Sequence, residues 1–132
     1  MSLKLELETP LTLIQVYAPT DNSGAAEKES FFEEVQKQIE HAEGRQRKVI
    51  VMGDLNGRVG NNYQEAMGCM GRFAGERTIN YNGQRIIDLC VANELLITNS
   101  LINHKRIHQF TFESSQQQKS IIDYFLMQKQ LR

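Results

Sequence analysis

From Leu3 to Glu8 the chain reads LKLELE, an unbroken alternation of apolar and charged residues. That period of two predicts a half-buried strand. Thr9-Pro10 interrupts it, and LTLIQVYA, Leu11 to Ala18, reads as a second and more buried strand that pairs with the first as a hairpin. Pro19 ends this strand because proline has no N–H to give to a ladder. TDNSGAA then leads into a helix with Ser23 as the expected N-cap. Between Ala25 and Ala42 the apolar residues Phe32, Val35 and Ile39 recur at helical spacing beside Phe31, with Glu27, Glu29, Lys37 and Glu40 on the wet side.

KVIVM, Lys48 to Met52, is too short and too β-branched for a helix and reads as a strand buried on both faces. A glycine-rich stretch from Asn61 to Tyr81 carries neither the Walker spacing nor the dinucleotide fingerprint and reads as an irregular surface loop. Asn82 to Asn93 predicts a second helix, packing Ile86, Ile87, Leu89, Cys90 and Val91. LLITNS follows as a strand, and QFTFE and SIIDYFLM as a final pair across SSQQQK. The element order is that of a mixed-sheet α/β chain.

Length and composition change little. At 132 residues, 40% hydrophobic and 23% charged, the chain is expected to form one domain, residues 1–132. No apolar run approaches a membrane span and no signal-peptide core is present, so an intracellular location, nuclear or cytoplasmic, and no membrane partner are expected. Cys69 and Cys90 form no Cys-x-x-Cys and are too few for a disulfide framework or a zinc cage. Cys90, on an apolar helical face, reads as a small buried hydrophobe. The net charge of −1 hides an asymmetry: residues 1–44 hold nine acidic and three basic side chains, residues 45–132 seven acidic and twelve basic. An anionic partner would meet the second part.

Chemistry concentrates where strands end. KVIVMGDLNGRVG places Asp54 and Asn56 just past a buried strand, where either turn geometry or a metal or phosphate site accounts for them. Of the four aspartates, Asp21 lies in a loop and Asp88 in a helix, both expected to be solvated or in a helix ion pair. Asp123 is flanked by apolar residues in IIDYFLM, so it is either paired, hydrogen-bonded or metal-bound, or it points to solvent at a sheet edge.

VYAPT with Tyr17, MGDLN with Asp54 and Asn56, and IIDYFLM with Asp123 occur in that order. The ordered set resembles the endonuclease/exonuclease/phosphatase superfamily, most nearly its non-LTR retrotransposon endonucleases and craniofacial-development-protein-2-like members. The resemblance runs from Leu11 to Met127 and includes the NGQRIIDLC helix. It implies a partial α/β/β/α sandwich with mixed sheets and a magnesium-dependent (or manganese-dependent) phosphodiester hydrolase acting on DNA. In that role Asp54 positions or deprotonates the attacking water and lies at a weak, indirect metal site. Asn56 holds the polar geometry around the phosphate, Tyr17 hydrogen-bonds it, and Asp123 orients a histidine that neutralises developing charge.

The pattern also has parts that do not map onto this sequence: an upstream metal-binding glutamate and a downstream Ser-Asp-His. Glu6 and Glu8 sit in the alternating strand, and His41, His104 and His108 match no catalytic histidine of the family. The expectation is a truncated domain, inactive alone, either a fragment or a natural truncation, with sheet surface open to self-association. An inactive endonuclease-derived interaction module and a phosphatase of the same superfamily are the competing readings.

Overall fold

In the computed structural model, which describes residues 2–5, 8–74, 76–103, 112–113, 119–120 and 123–131, the alternating stretches become a single mixed sheet. Its strands are β1 (Ser2–Leu5), β2 (Leu11–Tyr17), β3 (Lys48–Asp54), β4 (Leu95–Ile97) and β7 (Asp123–Gln128), in the order β1-β2-β3-β7-β4. The sequence hairpin β1–β2 is antiparallel, β2 and β3 run parallel through a helical crossover, and β7 runs antiparallel to both β3 and β4. A separate two-residue ladder joins β5 (Phe112–Glu113) to β6 (Lys119–Ser120).

Two helices cover one face of the sheet: α1 (Ala25–Gly44) and α2 (Tyr81–Asn93). The register explains why. Ile14, Val51, Leu126 and Ile97 form one row across β2, β3, β7 and β4, and all four are fully buried. Phe32, Val35 and Ile39 of α1 and Ile86, Leu89 and Cys90 of α2 belong to the same continuous core. Side chains alternate along a strand, so the neighbouring row, Leu13, Ile50, Met127 and Leu96, faces the other way. Leu3 extends that outer row and is 53% exposed; Phe125, on the next row, is 55% exposed.

Several expectations need correction. β3 is not buried on both faces: Val49 and Val51 are sealed by the helices, while Ile50 and Met52 on the outer face are only half-buried. β1 is largely exposed rather than half-buried, because it is an edge strand beyond the reach of the helix layer. Helix α1 is N-capped by Gly24, not Ser23, and this cap offers no side-chain hydrogen bond. Instead, Lys28 Nζ in the first turn donates to the Asp21 carbonyl at 2.7 Å. LLITNS is a strand only to Ile97; Thr98–Ser100 tighten into a 3-10 turn. Among the described residues the SIIDYFLM stretch meets QFTFE through its first residue, Ser120 opposite Phe112, while from Asp123 onward it pairs with β3 and β4. Residues 114–118, the expected turn, lie outside the described residues.

The stretch between β3 and α2 is irregular but not confined to the surface. Ala66, Cys69, Met70 and Ala74 enter the core, and Met70 bridges to Ile97 at the β4 edge. Helix α2 is capped by Asn80, whose side chain accepts from the Gly83 N–H at 2.8 Å and the Arg58 N–H at 2.9 Å. That ties the helix start to the segment following β3. None of the described helices is long and apolar enough to cross a membrane.

Candidate active site

The site grows from the carboxyl end of the parallel pair. β2 and β3 run side by side until Tyr17 stands opposite Asp54, and on the other edge of β3 the antiparallel ladder sets Asp54 opposite Asp123. Tyr17, Asp54 and Asp123 therefore form one row across three adjacent strands. The row falls on the outer face, in step with Leu13–Ile50–Met127 four residues earlier along β2 and β3. Asp54 is the last residue of β3 rather than the first residue beyond it, because the ladder to β2 and β7 continues that far.

Gly53 allows the strand to end this way. Its φ of +133° is open to glycine, and a Cβ there would lie 2.1 Å from the Val16 carbonyl oxygen. The chain then turns at Asn56, which takes a left-handed conformation with φ 44°. Asn56 makes two contacts that fix the row. Its backbone N–H donates to Asp54 Oδ1 at 2.9 Å, and its side-chain Nδ2 donates to the Ala18 carbonyl at 2.8 Å. The Ala18 N–H in turn donates to the Asp54 carbonyl at 2.8 Å. Asn56 thus orients the Asp54 carboxylate and clamps the ends of β2 and β3 together.

Partial burial raises the Asp54 pKa above the ordinary carboxylate value; the Asn56 N–H pulls it down, and the negative field of Asp123 pushes it up. Asp123 is exposed at the start of β7, which lies between β3 and β4 and so is not at a sheet edge. Tyr17 is 75% exposed, leaving its phenol at the surface beside Asp54. Asp21 lies 3.7 Å from the Lys28 ammonium, and Asp88 accepts from Gln84 one turn earlier in α2; neither joins the row. His41 is exposed in the last turn of α1. Glu8 is exposed, and Glu6, His104 and His108 lie outside the described residues.

Three further residues build this end of the molecule. Asn82, fully buried in the first turn of α2, donates through Nδ2 to the Pro19 carbonyl at 2.9 Å and lies within 3.4 Å of the Leu55 and Asn56 carbonyls. One amide therefore holds both loops that flank the row. Its place on the apolar stripe of α2, four residues before Ile86, was the available signal. Asn99 reads the backbone of β7 like a missing strand: Nδ2 donates to the Asp123 carbonyl at 2.9 Å and Oδ1 accepts from the Phe125 N–H at 3.1 Å. Tyr124, buried next to Asp123, donates its hydroxyl to the Gly57 carbonyl at 2.7 Å. The sequence pattern held no sign of the last two contacts.

Asp54 and Asp123 meet the modest carboxylate demand of magnesium, which takes one or two carboxylates and fills the remaining positions with water and substrate phosphate. They do not make a cage. Among the described residues no group of three or more His, Cys, Asp or Glu side chains converges as a metal site.

No family model matches the chain. It is 35% identical over 123 residues to craniofacial development protein 2 of Bos taurus and 34% identical over 123 residues to that of Tragulus javanicus, in each case across 92% of this chain. The chain spans only about a fifth of the length of these curated relatives, 20% and 21%. In three dimensions 98% of it superimposes on half (50%) of the endonuclease domain of TRAS1, a telomere-specific non-LTR retrotransposon, with a TM-score of 0.59 at 16% identity. The fold is similar to that part of the endonuclease domain. Both likenesses fit a partial domain of the endonuclease/exonuclease/phosphatase type. Mixed α/β architecture, one five-stranded sheet and two helices agree with the expectation from sequence.

Proposed function

We propose that this chain is the phosphodiester-handling part of a DNA endonuclease of retrotransposon type, dependent on a divalent metal such as magnesium and not sufficient for catalysis alone. The single observation that supports this most is the Tyr17–Asp54–Asp123 row, with Asn56 aiming the Asp54 carboxylate. The exposed Tyr17 phenol is suited to donate a hydrogen bond to a phosphate oxygen. Asp54, its basicity raised by partial burial and by Asp123, is suited to hold a water and take its proton. Asn56 acts as a positioning residue, since its backbone N–H and its side chain both bond to the frame of the site. Asp54, with Asp123 beside it, would hold the metal, which supplies charge neutralisation at the phosphate when bound. DNA is favoured over a small phosphate ester by the basic excess of residues 45–132.

The same picture predicts that the chain alone is catalytically silent. Among the described residues no third acidic, histidine or cysteine side chain joins the two carboxylates, and such a pair binds magnesium weakly. Losing one preorganised stabilising group typically costs about 10²–10³ in rate. The test is nicking of supercoiled DNA in magnesium by this chain and by a longer polypeptide that includes its natural flanking sequence. The expected result is no nicking above blank by the chain, nicking by the longer protein, and loss of that activity in Asp54→Ala. A longer protein that nicks equally well as Asp54→Ala would overturn the proposal.

A second reading, an interaction module derived from such an enzyme, draws support from the outer sheet face. Leu3 and Phe125 are exposed there beside the half-buried Leu13, Ile50, Met52 and Met127. A longer protein that never nicks DNA while the chain binds a partner through this face would favour it.

A further inference from the structure

The helix-covered side of the sheet carries a cleft of about 430 Å³ between the β1–β2 edge and the C-terminal half of α1. Its floor is Thr12, Ile14, Ala42 and Arg47, all buried. Arg47 is fixed there: Nε donates to Thr12 Oγ1 at 3.0 Å, and Nη2 donates to the Leu5 and Leu11 carbonyls at 3.0 and 2.8 Å. Lys4 on β1, Lys37 and His41 on α1, and Arg45 at the helix C-cap form the rim, and all four are exposed. Among the described residues that line the cleft, four permanent cations face one carboxylate, Glu34, a net charge of +3 with His41 neutral.

This sorting of charge runs against the local sequence. Residues 1–44 hold nine acidic and three basic side chains, yet two of those bases and only one of the acids line the cleft. Among the described residues Lys4, Lys37 and Arg45 enter no ion pair. The negative end of a helix attracts cations, but only within its last turn. That accounts for His41 and Arg45, not for Lys37, about two turns before the helix end, nor for Lys4 on a separate strand. The last carbonyls are also occupied: Ala42 accepts from the Arg45 and Arg47 N–H groups, and Glu43 from Gln46.

We propose that this cleft binds a small phosphate monoester, a phosphate group carried on a body of sugar size. A phosphate dianion takes several charge-assisted hydrogen bonds at once, from ammonium groups as point charges and from guanidinium forks. Its charge relieves the repulsion among the converging cations. The cleft falls in the size range of small-ligand sites, about 300–1,000 Å³, and is larger than a bare phosphate fills. It is remote from the row of Tyr17, Asp54 and Asp123. Thr12 lies five residues before Tyr17, roughly 16 Å along the strand, and faces the helices, whereas the row faces the other way.

The experiment titrates the isotope-labelled chain with ribose 5-phosphate, inorganic phosphate, ribose and a DNA duplex, at constant ionic strength set with chloride, and follows the amide resonances. The expected result is saturable shifts at Lys4, Thr12 and Gln38 to Arg45 with ribose 5-phosphate, weaker ones at the same amides with inorganic phosphate, and none with ribose. Arg45→Ala should weaken ribose 5-phosphate binding about tenfold, the loss of one charge-assisted hydrogen bond. Glu34→Gln, which removes the opposing carboxylate, should tighten it. Lys129→Ala, an equal change of charge beyond the end of β7, should leave it unchanged. Shifts scattered over the basic residues of the whole chain, equal binding by Arg45→Ala and wild type, or displacement of ribose 5-phosphate by the DNA duplex would overturn the proposal.

Discussion

Asp54 and Asp123 stand opposite each other across the β3–β7 ladder, so the charge of one is felt by the other. Like charges facing across an antiparallel pair are unfavourable, and a fold keeps such a pair at a cost in stability. The arrangement makes chemical sense where a cation or a proton is to be held between them.

This pairing gives a pH dependence with a defined sign. Asp54 has a folded pKa raised above its ordinary value, first by burial and then by Asp123. A raised carboxyl favours the folded state while protonated, and that contribution is lost as pH rises through the folded value. Asp54→Asn should therefore melt higher than wild type at pH 7, with the gap closing below about pH 3, where both chains are neutral at this position. Asp123→Asn should lower the Asp54 pKa in a carboxyl-detected NMR titration. An Asp54 value that does not move in Asp123→Asn would contradict the coupling.

Asn82 is expected to matter more than its helical position suggests. Truncation to Ala removes the donor that serves the Pro19 carbonyl and the nearby Leu55 and Asn56 carbonyls, all in a buried setting. Leaving such a group unsatisfied costs about 1–3 kcal/mol. Denaturant unfolding of Asn82→Ala should show a loss in that range, and the amide resonances of Ala18, Thr20 and Leu55 to Gly57 should shift. A change below about 0.5 kcal/mol, the usual size of a surface substitution, would mean water replaces the amide there.

Two glycines should respond in opposite ways to the same substitution. A Cβ at Gly83 would lie 1.7 Å from the Arg58 carbonyl oxygen, whereas one at Gly24 would meet nothing within 4 Å. Gly83→Ala must push α2 off the segment after β3 and should cost about 1–3 kcal/mol or more. Gly24→Ala, at an extended N-cap without a side-chain hydrogen bond, should stay within about 1 kcal/mol of wild type. Equal melting temperatures for the two variants would show that the α2 start yields more readily than its contacts indicate.

The outer sheet face should drive self-association. Leu3, Leu13, Ile50 and Met127 form a continuous apolar row with Phe125 beside it. We expect a dimer or larger species in sedimentation at about 100 μM, a demanding concentration for an interface of standard size. Ile50→Lys, in the middle of the row, should shift the chain toward monomer without altering the helix-covered face. A clean wild-type monomer at that concentration would rule this interface out.

The sequence alone determined the local elements and their order. Period two marked β1, an apolar run between prolines marked β2, helical spacing placed Phe32, Val35, Ile39 and Ile86 inward, and the ordered VYAPT, MGDLN and IIDYFLM stretches pointed to an endonuclease-type fold. These are properties of neighbours along the chain, where backbone geometry dictates which side chains share a face. Register was decided only in the tertiary structure. Whether Asp54 faces Asp123 or the residue beside it depends on strand pairing between distant segments, and a slip of one residue would move every side chain to the other face. The same holds for Asn82 reaching back to Pro19. Each contact joins residues far apart in sequence, brought together when the helices cover a single face of the sheet, and no local pattern encodes that distance.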